Sequence, residues 1–137
     1  MVELLVAWEK DWLSPKTEAF ILRQMCNAYR VDRVMAVPKL LPERTSIEQF
    51  DDVLSALATT DSERVWLQPE KTYQGKPLQE FDHPEDAVYI FGKAGENNMR
   101  FVKEGDHIVT IYTPAKVDFF SLSCAAMLLY SRLQHGN

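Results

Sequence analysis

The sequence has 137 residues, 46% of them apolar and 26% charged, proportions that exclude disordered, collagen-like and low-complexity chains. Its longest apolar run, Cys124 to Tyr130, is far short of the ~20 residues a membrane-spanning helix needs. The net charge of −5 argues against indiscriminate nucleic-acid binding, although Lys10 to Arg44 hold seven basic and four acidic residues, a local +3 that leaves −8 elsewhere. One basic face on an acidic protein suits a polyanion gripped locally.

The elements alternate along the chain. Val2 to Trp8 is an apolar run of strand length, interrupted only by Glu3, the pattern of a buried parallel strand. Ser14-Pro15 opens a helix, with Ser at the N-cap and Pro in the first helical position, and Leu22, Met25, Cys26 and Tyr29 form its apolar stripe. Arg23, Asn27 and Arg30 are spaced to share one side of that helix. Arg33 to Val37 predicts a second strand, stopped by Pro38. Ser46-Ile47-Glu48-Gln49 resembles a capped start for a helix carrying Phe50, Val53, Leu54 and Leu57. Arg64 to Leu67, Ala87 to Phe91 and Ile108 to Tyr112 predict three more strands. The last helix runs from about Ser121 to Gln134, with Leu122, Ala125, Ala126, Leu129, Tyr130 and Leu133 on its stripe. Met127 and Leu128 lie off that stripe, which predicts a second apolar face at a subunit interface, hence a homodimer. The expectation is one α/β domain over residues 1–137, with a mainly parallel sheet of five or six strands and helices on both faces.

Most catalytic signatures are absent. His83, His107 and His135 have no second His or Cys at ligand spacing, so no metal is expected. There is no nucleophile elbow or P-loop, and five glycines cannot build a glycine-rich phosphate cradle. Met1-Val2-Glu3-Leu4-Leu5 places an acid where a secretory leader carries positive charge. Cys26 and Cys124 are unpatterned, so buried thiols in a reducing cytoplasm, with no membrane partner, are expected.

Three segments say more together. Val2 to Val37 reads strand, Pro-containing loop, helix with Arg23, then strand. His83 to Gly92 reads turn, strand, glycine. Ile111, then Ser121-Leu122-Ser123-Cys124-Ala125-Ala126-Met127-Leu128-Leu129-Tyr130, reads strand, loop, small-residue helix start. In this order and spacing the chain resembles the SpoU-like branch of the SPOUT RNA methyltransferases, over nearly its whole length. The family's Asn six residues before the helical Arg is Thr17 here, and the Gly two further on is Ala19. The Glu two residues after Gly92 is Ala94, with Glu96 nearby. Ser-Leu-Asn is Ser121-Leu122-Ser123, and Ile-Pro appears as Ile111-Tyr112.

The resemblance implies a C-terminal trefoil knot, S-adenosylmethionine as cofactor, and methyl transfer to a ribose 2′-hydroxyl of RNA, with tRNA the expected class. It implies catalytic roles for Arg23 and Ser121, RNA contacts from Arg23 and Arg30, and a cofactor pocket at Leu67, Gln68, Phe91, Gly92, Lys93, Ile111, Tyr112, Ser121 and Leu122. Ser121 has an alternative as the N-cap of the last helix. Two other readings stand beside the enzyme. One is a SPOUT-like dimer that has lost transfer and binds RNA or protein, favoured by Thr17, Ala94 and Ser123; the other is a flavodoxin-like binding domain.

Overall fold

A computed structural model describes residues 1–8, 14–43, 45–69, 74–92, 98–116 and 121–135. Among them, seven strands form one all-parallel sheet: β1 (Val2–Ala7), β2 (Arg33–Val37), β3 (Glu48–Gln49), β4 (Glu63–Leu67), β5 (Lys76–Pro77), β6 (Ala87–Phe91) and β7 (His107–Thr110). Their order across the sheet is β3-β2-β1-β6-β4-β7-β5. Helices α1 (Pro15–Ala28), α2 (Val53–Leu57) and α3 (Ser121–His135) complete the layers. The expected five or six strands are corrected to seven because β3 and β5 are two-residue pairings made by polar or proline-containing backbone, invisible to hydrophobic patterning.

The apolar runs form strands because each is covered on both faces. Leu4 and Val6 face one layer with Val65 and Tyr89, where Ala19, Leu22 and Cys26 of α1 and Leu122, Ala125, Leu128 and Leu129 of α3 pack. Leu5, Met35, Trp66, Val88 and Ile90 face the other, under Ala56 and Leu57 of α2. Helices on both faces are therefore present as expected.

Local chemistry sets the ends. Ser14 caps α1, its Oγ accepting from the Thr17 backbone N–H at 3.2 Å, with Pro15 at the helix start. Arg30 follows the helix with φ 54°, a left-handed turn, so the expected stripe of Arg23, Asn27 and Arg30 is broken at its last member. The expected capped start at Ser46 is also corrected. Glu48–Gln49 pairs with β2 instead, and Asp52 caps α2, its Oδ1 accepting from Ser55 N–H at 2.7 Å. β7 ends at Thr110, which leaves Ile111 and Tyr112 beyond the strand.

The second apolar face of α3 is corrected in the same way. Leu128 is fully buried and Met127 packs against the same core, because α3 is covered by both the sheet and α1. The exposed apolar side chains of these helices are Phe20, Ile21, Tyr130 and Leu133.

Candidate active site

In an open parallel sheet, ligands bind beyond the carboxyl ends of the strands. Here β4 lies between β6 and β7, with Leu67 paired to Phe91 on one side and Val109 on the other. Gln68 continues the edge, its N–H donating to Val109 O at 3.0 Å. The Ser121 hydroxyl donates to Gly92 O at 3.0 Å, which fastens the head of α3 to the end of β6. Ser121 is the first helical residue and not the cap. A Cβ at Gly92 would lie 2.1 Å from Asn98 Nδ2, so a side chain there would expel the buried Asn98 amide. Tyr112 Oη donates to Gly75 O at 2.7 Å, and Gly75 N–H donates to Thr110 Oγ1 at 2.8 Å, stitching the segment before β5 onto β7. Leu67, Gln68, Phe91, Gly92, Ile111, Tyr112 and Ser121 thus share one edge. Leu122 instead turns into the core. Lys93, Ala94 and Glu96 lie outside the described residues.

The same edge holds polar atoms that folding leaves unmatched. Trp8 Nε1, Thr113 Oγ1 and both Oε1 and Nε2 of Gln68 are buried without a hydrogen-bond partner. Trp8 directly follows β1, Gln68 directly follows β4, and Thr113 lies three residues past β7. Each such group costs about 1–3 kcal/mol; Arg64 Nη1, near the start of β4, is another, but the four atoms above gather at one edge and mark a place where something else completes the bonding. Sequence reasoning missed Trp8 and Thr113. Trp8 ends an apolar run and reads there simply as one more core residue.

α1 begins at this edge and descends from it, since β1 and β2 are parallel. Arg23 and Arg30 are exposed, and neither guanidinium makes a hydrogen bond or ion pair among the described residues. Among the described residues, no hydrogen bond or ion pair ties either of them to the Gln68–Gly92–Ser121 group. Thr17 is occupied locally, its hydroxyl 2.8 Å from Ser14 Oγ.

No protein-family model and no curated protein sequence matches this chain. Solved structures do. The A. aeolicus TrmH/SpoU tRNA modifying enzyme superposes with a TM-score of 0.73 at 16% identity, over 98% of this chain and 74% of that one. A protein solved to explain 2-OH methylation of C/U34 on tRNA gives 0.72 at 14% identity, over 98% and 95%. The SpoU methyltransferase AviRb of Streptomyces viridochromogenes, bound to AdoMet, gives 0.69 at 12% identity, over 100% and 59%. The chain has the SpoU methyltransferase fold.

Within this SpoU fold a buried polar network ties α3 to the segment leading into β6. His83 Nδ1 lies 2.8 Å from Tyr89 Oη, and Nε2 lies 3.1 Å from Ser131 Oγ. Arg132 donates to Tyr89 Oη at 3.0 Å and to the carbonyls of Pro84 and Glu85. Tyr89 Oη accepts from the Arg132 guanidinium and has its own hydroxyl proton to offer Nδ1, an arrangement matched by the imidazole tautomer protonated at Nε2. Burial, then the cations of Arg132 and His135, push His83 down from 6.5 to about 4. The folded state thus refuses a proton that the unfolded chain accepts below 6.5. Stability is full above that pH and is lost as pH falls toward 4, by up to about 3 kcal/mol. Urea midpoints measured between pH 7 and 4 should show this decline, and His83→Gln should flatten it; an unchanged slope assigns the proton elsewhere.

Proposed function

We propose that this chain is an S-adenosylmethionine-dependent RNA ribose 2′-O-methyltransferase, with tRNA as its substrate class, working in the cytoplasm as a homodimer with a C-terminal trefoil knot. The observation that carries the reading is the set of unmatched buried polar groups at the carboxyl edge of a SpoU-type sheet.

The residues fit the cofactor. Leu67 and Ile111, half-buried at the edge, offer apolar surface backed by Phe91 and Leu122 in the core, the strand ends offer backbone donors and acceptors, and Gly92, held by Ser121, keeps the edge low. Lys93 belongs to the same proposed set. S-adenosylmethionine would supply an electrophilic methyl group. A ribose hydroxyl attacks poorly until it loses its proton, and Arg23 is the group we assign to stabilise the developing oxyanion. An unpaired guanidinium is also suited to bidentate phosphate binding, which extends the RNA role to Arg30.

The homodimer is supported by Phe20 and Leu133, 72% and 69% exposed on α1 and α3. The knot is supported by the ties at both ends of α3, Ser121 to Gly92 and Arg132 to Pro84 and Glu85. The proposed knot has α3 pass through the loop between Leu67 and Phe91, an arrangement compatible with both ties.

Calorimetric titration with S-adenosylmethionine, followed by methyl incorporation into a tRNA fraction and nucleoside analysis, tests the assignment. Stoichiometric binding and a 2′-O-methylated nucleoside are expected. Binding without transfer to tRNA or rRNA favours the second reading, an RNA- or protein-binding module, to which the engagement of Thr17 with Ser14 and the exposure of Ser123 already lend support. Absence of binding returns the chain to a generic α/β binding domain.

A further inference from the structure

We infer that the Gln68 side chain reads the adenine edge of the cofactor, an inference that rests on the S-adenosylmethionine site proposed above. Gln68 is 2% exposed, yet neither its Oε1 nor its Nε2 has a hydrogen-bond partner. Its backbone is fixed by the bond to Val109 O. The pairings of β4 set it level with Gly92 on one side and Thr110 on the other.

Folding gains nothing from this amide. A methionine has similar length and volume and leaves no unmatched atom, whereas a dry, unpaired polar group costs about 1–3 kcal/mol. Natural chains keep such groups where a ligand completes them.

The kind of ligand follows from which atoms are unmatched. Because the acceptor and the donor are both free, the complementary group must present a donor and an acceptor side by side. A carboxylate only accepts and would leave Oε1 bare. An ammonium only donates and would leave Nε2 bare. The adenine edge offers the N6 amino group beside N7, the pairing through which Gln and Asn recognise adenine in nucleic acids. The sulfonium offers no such pair, and the ribose hydroxyls and the methionyl ammonium and carboxylate, set on tetrahedral carbons, do not present theirs in one plane.

The test uses the full chain, with S-adenosylhomocysteine and S-inosylhomocysteine as probes; the second has an oxo group where the first has the amino group. The parental protein is expected to bind the adenine compound about 10- to 100-fold more tightly, the range set by one unmatched buried group. Gln68→Met is expected to lose most of that preference and to weaken S-adenosylhomocysteine by a similar factor. Its ligand-free melting temperature should stay level or rise, because the unmatched amide is gone. A residue that merely shaped the strand end would lower the melting temperature and leave the preference intact. Preference surviving in Gln68→Met overturns the inference and leaves the cofactor site standing. A parental protein that binds neither compound overturns the site and the inference together. If Gln68→Met does not fold, the parental protein still decides: equal affinity for the two probes overturns the assignment.

Discussion

Arg23→Ala is expected to slow methyl transfer by about 10²-fold or more, the scale of losing one donor to a developing oxyanion, while S-adenosylmethionine affinity stays within a few-fold. The guanidinium is exposed and bonded to nothing among the described residues, so its removal leaves no buried group stranded and the fold intact. It stands on α1, whose start lies at the carboxyl edge of the sheet. Side chains on an α-helix lean toward the helix N-terminus, which here is the direction of that edge. The proposed cofactor contacts come from the ends of β4, β6 and β7 and from the head of α3, none of which touches Arg23 through a hydrogen bond. Single-turnover methylation of tRNA, run beside cofactor titration, separates the two effects. Transfer at the parental rate makes Arg23 an ordinary solvated charge.

Leu128→Ala is expected to cost about 3 kcal/mol of folding free energy, within the 2–5 range for emptying a fully packed leucine site. Leu128 has no exposed surface and packs in the layer that holds Leu4, Val65, Tyr89 and α1. The loss should be the same at two protein concentrations tenfold apart in urea denaturation. Leu133→Ala, on the exposed side of the same helix, should change intrinsic stability by less than about 0.5 kcal/mol and weaken self-association instead. A Leu128 effect that vanishes on dilution would move that residue back to an interface.

That pair of residues shows where the sequence was informative and where it was not. A helix that is apolar all round is equally consistent with a partner subunit and with burial between a sheet and a neighbouring helix. Periodicity counts the faces, but it does not say what covers them. β1, β2, β4 and β6 were legible because strands covered on both sides are largely apolar, their charged residues Glu3, Arg33, Glu63 and Arg64 standing at the strand starts. β3 and β5 were not, since Glu48–Gln49 and Lys76–Pro77 pair through backbone alone. Asp52 was preferred to Ser46 as a cap because the residues after Ser46 were already committed to β2. In the site, Gly92 and Ser121 were legible through the strand–glycine and Ser-Leu patterns. The unmatched states of Trp8 and Thr113, and the bond between His83 and Ser131 across 48 positions, exist only once distant segments meet.

The two outermost strands of the sheet have a consequence of their own. A long open border of unpaired N–H and C=O groups recruits strands from other molecules and is where sheet proteins begin to aggregate. Here each outermost strand has two residues, one laid against Val109 and Thr110 of β7 and the other against Met35 and Ala36 of β2. One contains Pro77, which has no N–H to offer, and the other contains Glu48, held in an ion pair with Arg33. Neither outermost strand is long enough to template a further one. Short, proline-bearing and charged edges of this kind discourage crowded copies of the chain from joining sheet to sheet.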